Sequence, residues 1–218
     1  MFTNERQRGN QRMKTQSTGL QTIMNWIGRI LRLDISAFDE IRAEPTATTA
    51  AVLVVFVSSL FAGLGSFLWA ELPINDISGI GATEMLVKSF ILGSIIQTGV
   101  WFLWVYFTYQ ILMRGFGARV EFAELIRTMG FAFVPVAASV FVLLAGLAVP
   151  IGVIAFVMAA LLTNIAIQRA SDSDVSEATI ANLIGFGIFA IFMGLFANIM
   201  EIAGTGGLAP GIFFFSLD

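Results

Sequence analysis

The sequence predicts an all-α, polytopic membrane protein: a bundle of five transmembrane helices, N-terminus cytoplasmic, with amphipathic helices on the inner face. Three observations predict it. Of 218 residues 57% are hydrophobic and only 12% charged, about half the charge of a soluble domain. The apolar residues gather into five runs, none alternating in polarity. A backbone in hydrocarbon must satisfy its own polar groups, so such runs are helices and a sheet barrel is excluded. The third observation is charge placement. With the N-terminus inside, the inner segments hold Arg6, Arg8, Arg12, Lys14, Arg29, Arg32, Arg42, Arg114, Arg119, Arg127 and Arg169, while the outer segments hold only Lys88. That asymmetry follows the positive-inside rule.

The elements follow in order. Residues 1–19 are polar and basic and lack an apolar stretch of the signal-peptide kind, so they read as a flexible arm. In residues 20–44, Leu20, Ile23, Met24, Ile27, Ile30 and Leu31 recur at helical spacing, with Arg29 and Arg32 mostly on the other side. This is the pattern of a helix lying in the membrane interface or packed on the protein's own inner side. Ser36 fits the N-cap of a second short helix through Arg42, with Asp39 three residues on. Pro45 fits the first turn of the first span.

The five-span domain covers residues 45–203. The runs lie near 47–70, 89–113, 129–147, 150–168 and 180–202. Forty residues from Met129 to Gln168 carry no charge, too many for one span of about 20. The break falls in "AGLAVPIG", whose glycines and Pro150 predict a tight hairpin. Arg114–Val136 reads as an inner-surface helix entering the third span, with Val120, Phe122, Leu125 and Ile126 on one side and Glu121, Glu124 and Arg127 on the other. Pro135 would kink that helix or mark its start. Glu121 is expected to pair with Arg114 or with the charged residues 38–44, making one inner-face plate. Ser176 or Thr179 is expected to cap the last span. Residues 204–218 form an apolar outer-face tail.

Chemistry is sparse. The chain has no Cys and no His, which removes disulfides, thiolate nucleophiles, Fe–S ligation, Cys/His zinc sites and His-ligated haem. No acid or base falls mid-span, which argues against ion-coupled transport. The polar interior candidates are Gln97, Asn164, Asn182 and Asn198, read chiefly as interhelical hydrogen bonders and alternatively as a solute path. Ala155, Ala159 and Thr163, and Ala190, Gly194 and Asn198, form small-residue ridges that let helices approach closely.

Two segments carry a resemblance. "FDEIRAEPTATTAAV", with Asp39, Glu40, Arg42, Glu44 and Pro45, precedes the first span. "GARVEFAELIRTMGFAFVPV", with Glu121, Glu124, Arg127, Gly130 and Pro135, precedes the third. Together they resemble the bacterial branch of the Yip family, five-span membrane proteins related to Ypt/Rab-interacting proteins. The resemblance covers roughly residues 36–202 and implies the same topology. The chain lacks the Asp-Leu-Tyr-Gly-Pro element of eukaryotic members, so Rab GTPase binding is not carried over. The resemblance implies no agreed biochemical activity.

The expected function is therefore a non-enzymatic scaffold or accessory subunit of a larger membrane complex. The alternatives are a small-solute or lipid transporter and a membrane-shaping or lipid-sensing protein. Expected partners are the lipid bilayer and other membrane protein subunits, with no nucleic acid, cofactor or metal. The expected location is the cell membrane, the inner membrane if the source is bacterial.

Overall fold

A computed structural model describes residues 19–71, 81–144 and 146–200. Most of the basic arm, most of the first outer loop and the apolar tail lie outside these residues. The described residues form α1 (residues 19–31), α2 (Ala37–Ala43), α3 (Ala47–Ala70), α4 (Ala82–Gly115), α5 (Phe122–Ala132), α6 (Ala148–Ser171) and α7 (Val175–Ile199). Five helices are long and apolar enough to cross a membrane: α3, α4, α5 with its continuation to Leu143, α6 and α7.

Helix edges depart from the sequence expectation where charges enter a span. The second helix begins at Ala82 rather than near residue 89. It takes in Glu84 and Lys88, which neutralise each other as an i,i+4 pair at 2.7 Å. The last begins at Val175 and ends at Ile199. In Arg114–Val136 the helix starts at Phe122, and α5 with the segment to Leu143 makes one stretch of 22 residues long and apolar enough to cross a membrane. Glu124 and Arg127 therefore lie within that helix.

The third span changes its winding midway. After Ala132 the chain passes into a 3₁₀ helix, Val134–Leu143, with Pro135 in its first turn. Proline has no N–H to give to the preceding turn, so the α ladder stops there. Ten residues is long for a 3₁₀ helix, where three or four is usual. Three residues per turn stack i, i+3 and i+6 in a line, and burial follows that period. Val136, Ser139 and Val142 are buried, while Ala138, Phe141 and Leu144 are exposed. The predicted hairpin is present: Gly146, at φ 78°, supplies the left-handed residue before α6.

The third span is also the centre of the bundle. In its most apolar stretch 72% of residues are buried, against 39% to 44% in the other four spans. It runs parallel to α3. A side chain at Gly130 would stand 2.7 Å from Ala51 Cβ, and one at Gly65 would strike the Ser139 carbonyl. α3 and α4 run antiparallel, with Gly63 against Ser89, Phe90 and Ser94. α4 meets α7 where Gly185 lies against Trp104 and Thr108. Four elements interlock at mid-bundle through Trp104, Phe133, Phe156, Phe186 and Phe189, with ring centroids 5.1 to 6.4 Å apart. Such edge-on and tilted pairs add to burial.

Candidate functional site

Two features stand out: a braced plate of ion pairs at the arginine-rich end, and an apolar groove along one side.

The plate begins with α1. Trp26 is buried against Phe131, edge to face at 5.7 Å, and its indole N–H donates to Glu40 Oε2 at 3.1 Å. Ile30 is buried beside it. Arg29 donates to Asp34 at 2.8 Å, Glu40 at 2.7 Å and Ser36 Oγ at 2.9 Å, which pins α1 to α2. Ser36 holds the N-cap position of α2, as the sequence suggested, but makes no capping bond. Its hydroxyl donates to Asp34 Oδ1 at 2.6 Å, and α2 has no side-chain cap. The Ser36 and Arg29 hydrogen bonds hold the Asp34 carboxyl down at about 2, and Arg29 with Trp26 lowers Glu40. The other side of α1 is also apolar: Leu20, Met24 and Leu31 are largely exposed. The reading as a helix packed on the protein itself thus holds for its Trp26 side.

Arg42 ties α2 to two further elements. It donates to Glu124 on α5 at 3.2 Å, to Asp172 at 3.0 and 3.1 Å, and to the Arg169 carbonyl at 2.8 Å. Burial opposes its charge, but the Asp172 and Glu124 bonds outweigh this and raise its pKa. Arg169 in turn donates to Asp39 at 3.3 Å. Asp172 reaches Arg42 from a left-handed residue, φ 51°, at the end of α6. The expected plate exists, but Glu121 is not its partner. Glu121 makes a capping box with Glu124, each side chain accepting from the other's backbone N–H. Glu44 bonds the Thr46 hydroxyl at 2.6 Å and its N–H at 3.2 Å just after Pro45, which lowers its pKa. Arg127, only 8% exposed, donates to Thr48 Oγ1 at 3.3 Å and makes no ion pair among the described residues. Ser176 and Thr179 do not cap α7. Asp174 stands at that end, and Thr179 donates to the Val175 carbonyl.

The polar interior candidates do not converge. Asn182 accepts from Trp104 Nε1 at 3.1 Å and donates to the Ala160 carbonyl at 2.9 Å, joining α4, α6 and α7. Asn164 pairs with Thr179 at 3.1 Å. Asn198 is exposed and donates to Gly194 of its own helix. Gln97 is fully buried, and neither amide atom has a partner; Ser59, Ser139 and Thr163 hydroxyls are likewise unpartnered. Ala155, Ala159 and Thr163 form the predicted buried ridge on α6, whereas the Ala190 ridge on α7 runs out to exposed Asn198. The close approaches at Gly130 and Gly185 had no ridge in the sequence to announce them.

The groove was not foreseen. It has a volume of about 460 Å³. One wall is the 3₁₀ line Pro135, Ala138 and Phe141, with Leu144 just past its end; the other is α6 from Ile151 to Leu162. Ile30, Leu31 and Leu33 close its arginine-rich end. No charged side chain lines it. Among the described residues no cluster of acids is suited to a metal ion.

A family profile described as the Yip1 domain matches residues 29–199. That range takes in the plate, all five spans and both groove walls. No curated protein and no solved structure matches the chain.

Proposed function

The chain belongs to the Yip1 domain family, and on that premise we propose that it is a non-enzymatic scaffold or accessory subunit of a membrane assembly, with the arginine-rich face in the cytoplasm. The observation that carries this reading is the mounting of α1. Its Trp26 side is locked to the bundle by Arg29, Glu40 and the Arg42 brace, while Leu20, Met24 and Leu31 stay exposed. A rigid ledge with a free apolar side offers a preformed docking face, and preformed surfaces avoid the entropy cost of ordering on binding. Charge asymmetry supports the orientation. Location in the cell membrane, the inner membrane if the source is bacterial, belongs to the same reading.

A solute path through the middle is disfavoured, because the aromatic cluster fills the bundle centre and Asn164, Asn182 and Asn198 are each hydrogen-bonded to protein groups. The exposed α1 side also supports a second reading, lipid sensing by an interfacial helix. Gentle-detergent purification of tagged wild type and a Leu20→Ser, Met24→Ser variant, with mass spectrometry of co-eluting membrane proteins, separates the two. The subunit reading expects defined partners that the variant loses. A lone monomer in both preparations rejects it. Reduced liposome binding by the variant without loss of partners favours lipid sensing.

A further inference from the structure

We infer that the groove between the 3₁₀ segment and α6 is a binding site for one acyl chain of an anionic phospholipid. The inference does not depend on whether the chain joins a larger assembly.

The argument begins with helix geometry. Pro135, Ala138 and Phe141 stack in one line because the segment is 3₁₀, and Leu144, the extended residue after it, continues the wall. Each residue advances about 120° there and about 100° in an α-helix. Over the six steps from Pro135 to Phe141 the difference reaches about 120°. In an α-helical third span, Phe141 would therefore point about a third of a turn away from Pro135, and this wall would not exist. Ala138, the small residue in the line, leaves the hollow between Pro135 and Phe141. Across from it, Ile154 and Met158 follow the α period. The groove thus lies along the bundle wall, at the depth of two helices apolar enough to cross a membrane. Hydrocarbon is the medium that faces such a wall, and the groove carries no charged side chain that an acyl chain would have to desolvate.

The end of the groove selects the head group. Leu31 and Leu33 border it there, and Arg32 stands between them in sequence, exposed. The neighbouring acid, Asp34, is already held by Arg29 and Ser36, and Glu40 by Arg29 and Trp26. Arg32 makes no ion pair among the described residues and is the cation left for a phosphate. Leu33 has a left-handed backbone, φ 61°. A branched residue adopts that conformation at a cost and only where its surroundings hold it. Here it sets Leu33 on the rim of the groove.

The test is native mass spectrometry of the full chain released from nanodiscs of equal phosphatidylglycerol and phosphatidylcholine. The expected result is a retained single lipid, enriched in phosphatidylglycerol over the nanodisc. Ala138→Trp should abolish retention by filling the groove. Ile154→Trp, on the opposite wall at an exposed position, should do the same and guards against a folding defect peculiar to the first variant. Arg32→Gln should keep a lipid bound but lower the preference for phosphatidylglycerol about fivefold. Retained lipid that matches the nanodisc composition, or equal retention by both tryptophan variants, overturns the inference. So does a disulfide-linked dimer of Phe141→Cys in membranes, a clean probe because the chain has no cysteine. That result would assign the groove to a second copy.

Discussion

The two halves of the third span obey different rules. The first half, α5, is α-helical, opens with a capping box, and is buried from Leu125 to Ala132 without a break. The second half is 3₁₀, and only one residue in three, Val136, Ser139 and Val142, faces the core. One half packs against α2, α3, α4 and α6; the other packs on α3 and α6 and leaves a groove along one side. An unbroken α-helix needs no help in hydrocarbon, whereas an extended 3₁₀ run has poorer hydrogen-bond geometry and persists where packing favours it. Here the Gly65 contact with the Ser139 backbone holds the second half against α3.

Four changes break or sharpen that contrast. The largest effect is expected at Gly130. Gly130→Leu forces a side chain into Ala51, where even Cβ would stand 3.0 Å from the backbone. It should cost about 3 kcal/mol in reconstituted protein, the upper range for overpacking. Leu at Ala138, in the exposed line of the second half, should change the thermal midpoint little. Equal losses at the two sites would show that the halves are gripped alike.

Next is Arg42→Ala, which frees Glu124, Asp172 and the Arg169 carbonyl together. With the side chain about a quarter exposed, solvent screens part of the charge, and the expected loss is about 1 to 2 kcal/mol. Hydrogen exchange should rise in α2 and in the α6–α7 turn while the 3₁₀ segment stays unchanged. Faster exchange throughout Val134–Leu143 would join the two halves into one unit.

A smaller pair of effects has opposite signs. Asn182→Leu leaves Trp104 Nε1–H without its acceptor and should cost about 1 kcal/mol. Gln97→Leu removes two buried polar atoms that lack partners and should leave stability equal or raise it. A clear loss at Gln97 would show that its amide is bonded in the bilayer, for instance through a buried water.

The smallest effect is on pH. Asp34, Glu40 and Glu44 have lowered pKa values, so their contribution is complete above the usual carboxylate range and is lost as pH falls through the folded values. For Asp34 that loss runs down to about 2. Fluorescence of Trp26 should report loosening of α1 over that acid range before the spans themselves respond. A transition of Trp26 near neutral pH would contradict the assignment.

Much of the fold was legible in the sequence. The five runs, the Gly146 hairpin and the clustering of charge at one end all follow from composition and spacing. Edges were misplaced where a charge pair such as Glu84–Lys88 neutralises itself inside a helix. Thr179 does not cap α7, and Ser36 holds the N-cap position of α2 without a capping bond, because each hydroxyl found a different local partner. The site was less legible. Arg42 was noted as part of a motif, yet its partner Asp172 lies 130 residues away. Gln97, whose place in a span predicts a bridge between helices, bonds nothing among the described residues.

By itself the sequence determined how many times the chain enters hydrocarbon, because there the backbone must close its own hydrogen bonds and run length alone sets the count. Only the tertiary structure decided which charges meet, where glycine lets two backbones touch, and that the third span unwinds to 3₁₀ after Ala132. Those outcomes turn on approaches of about 3 Å between segments far apart in the chain, and hydrophobic periodicity carries no record of such distances.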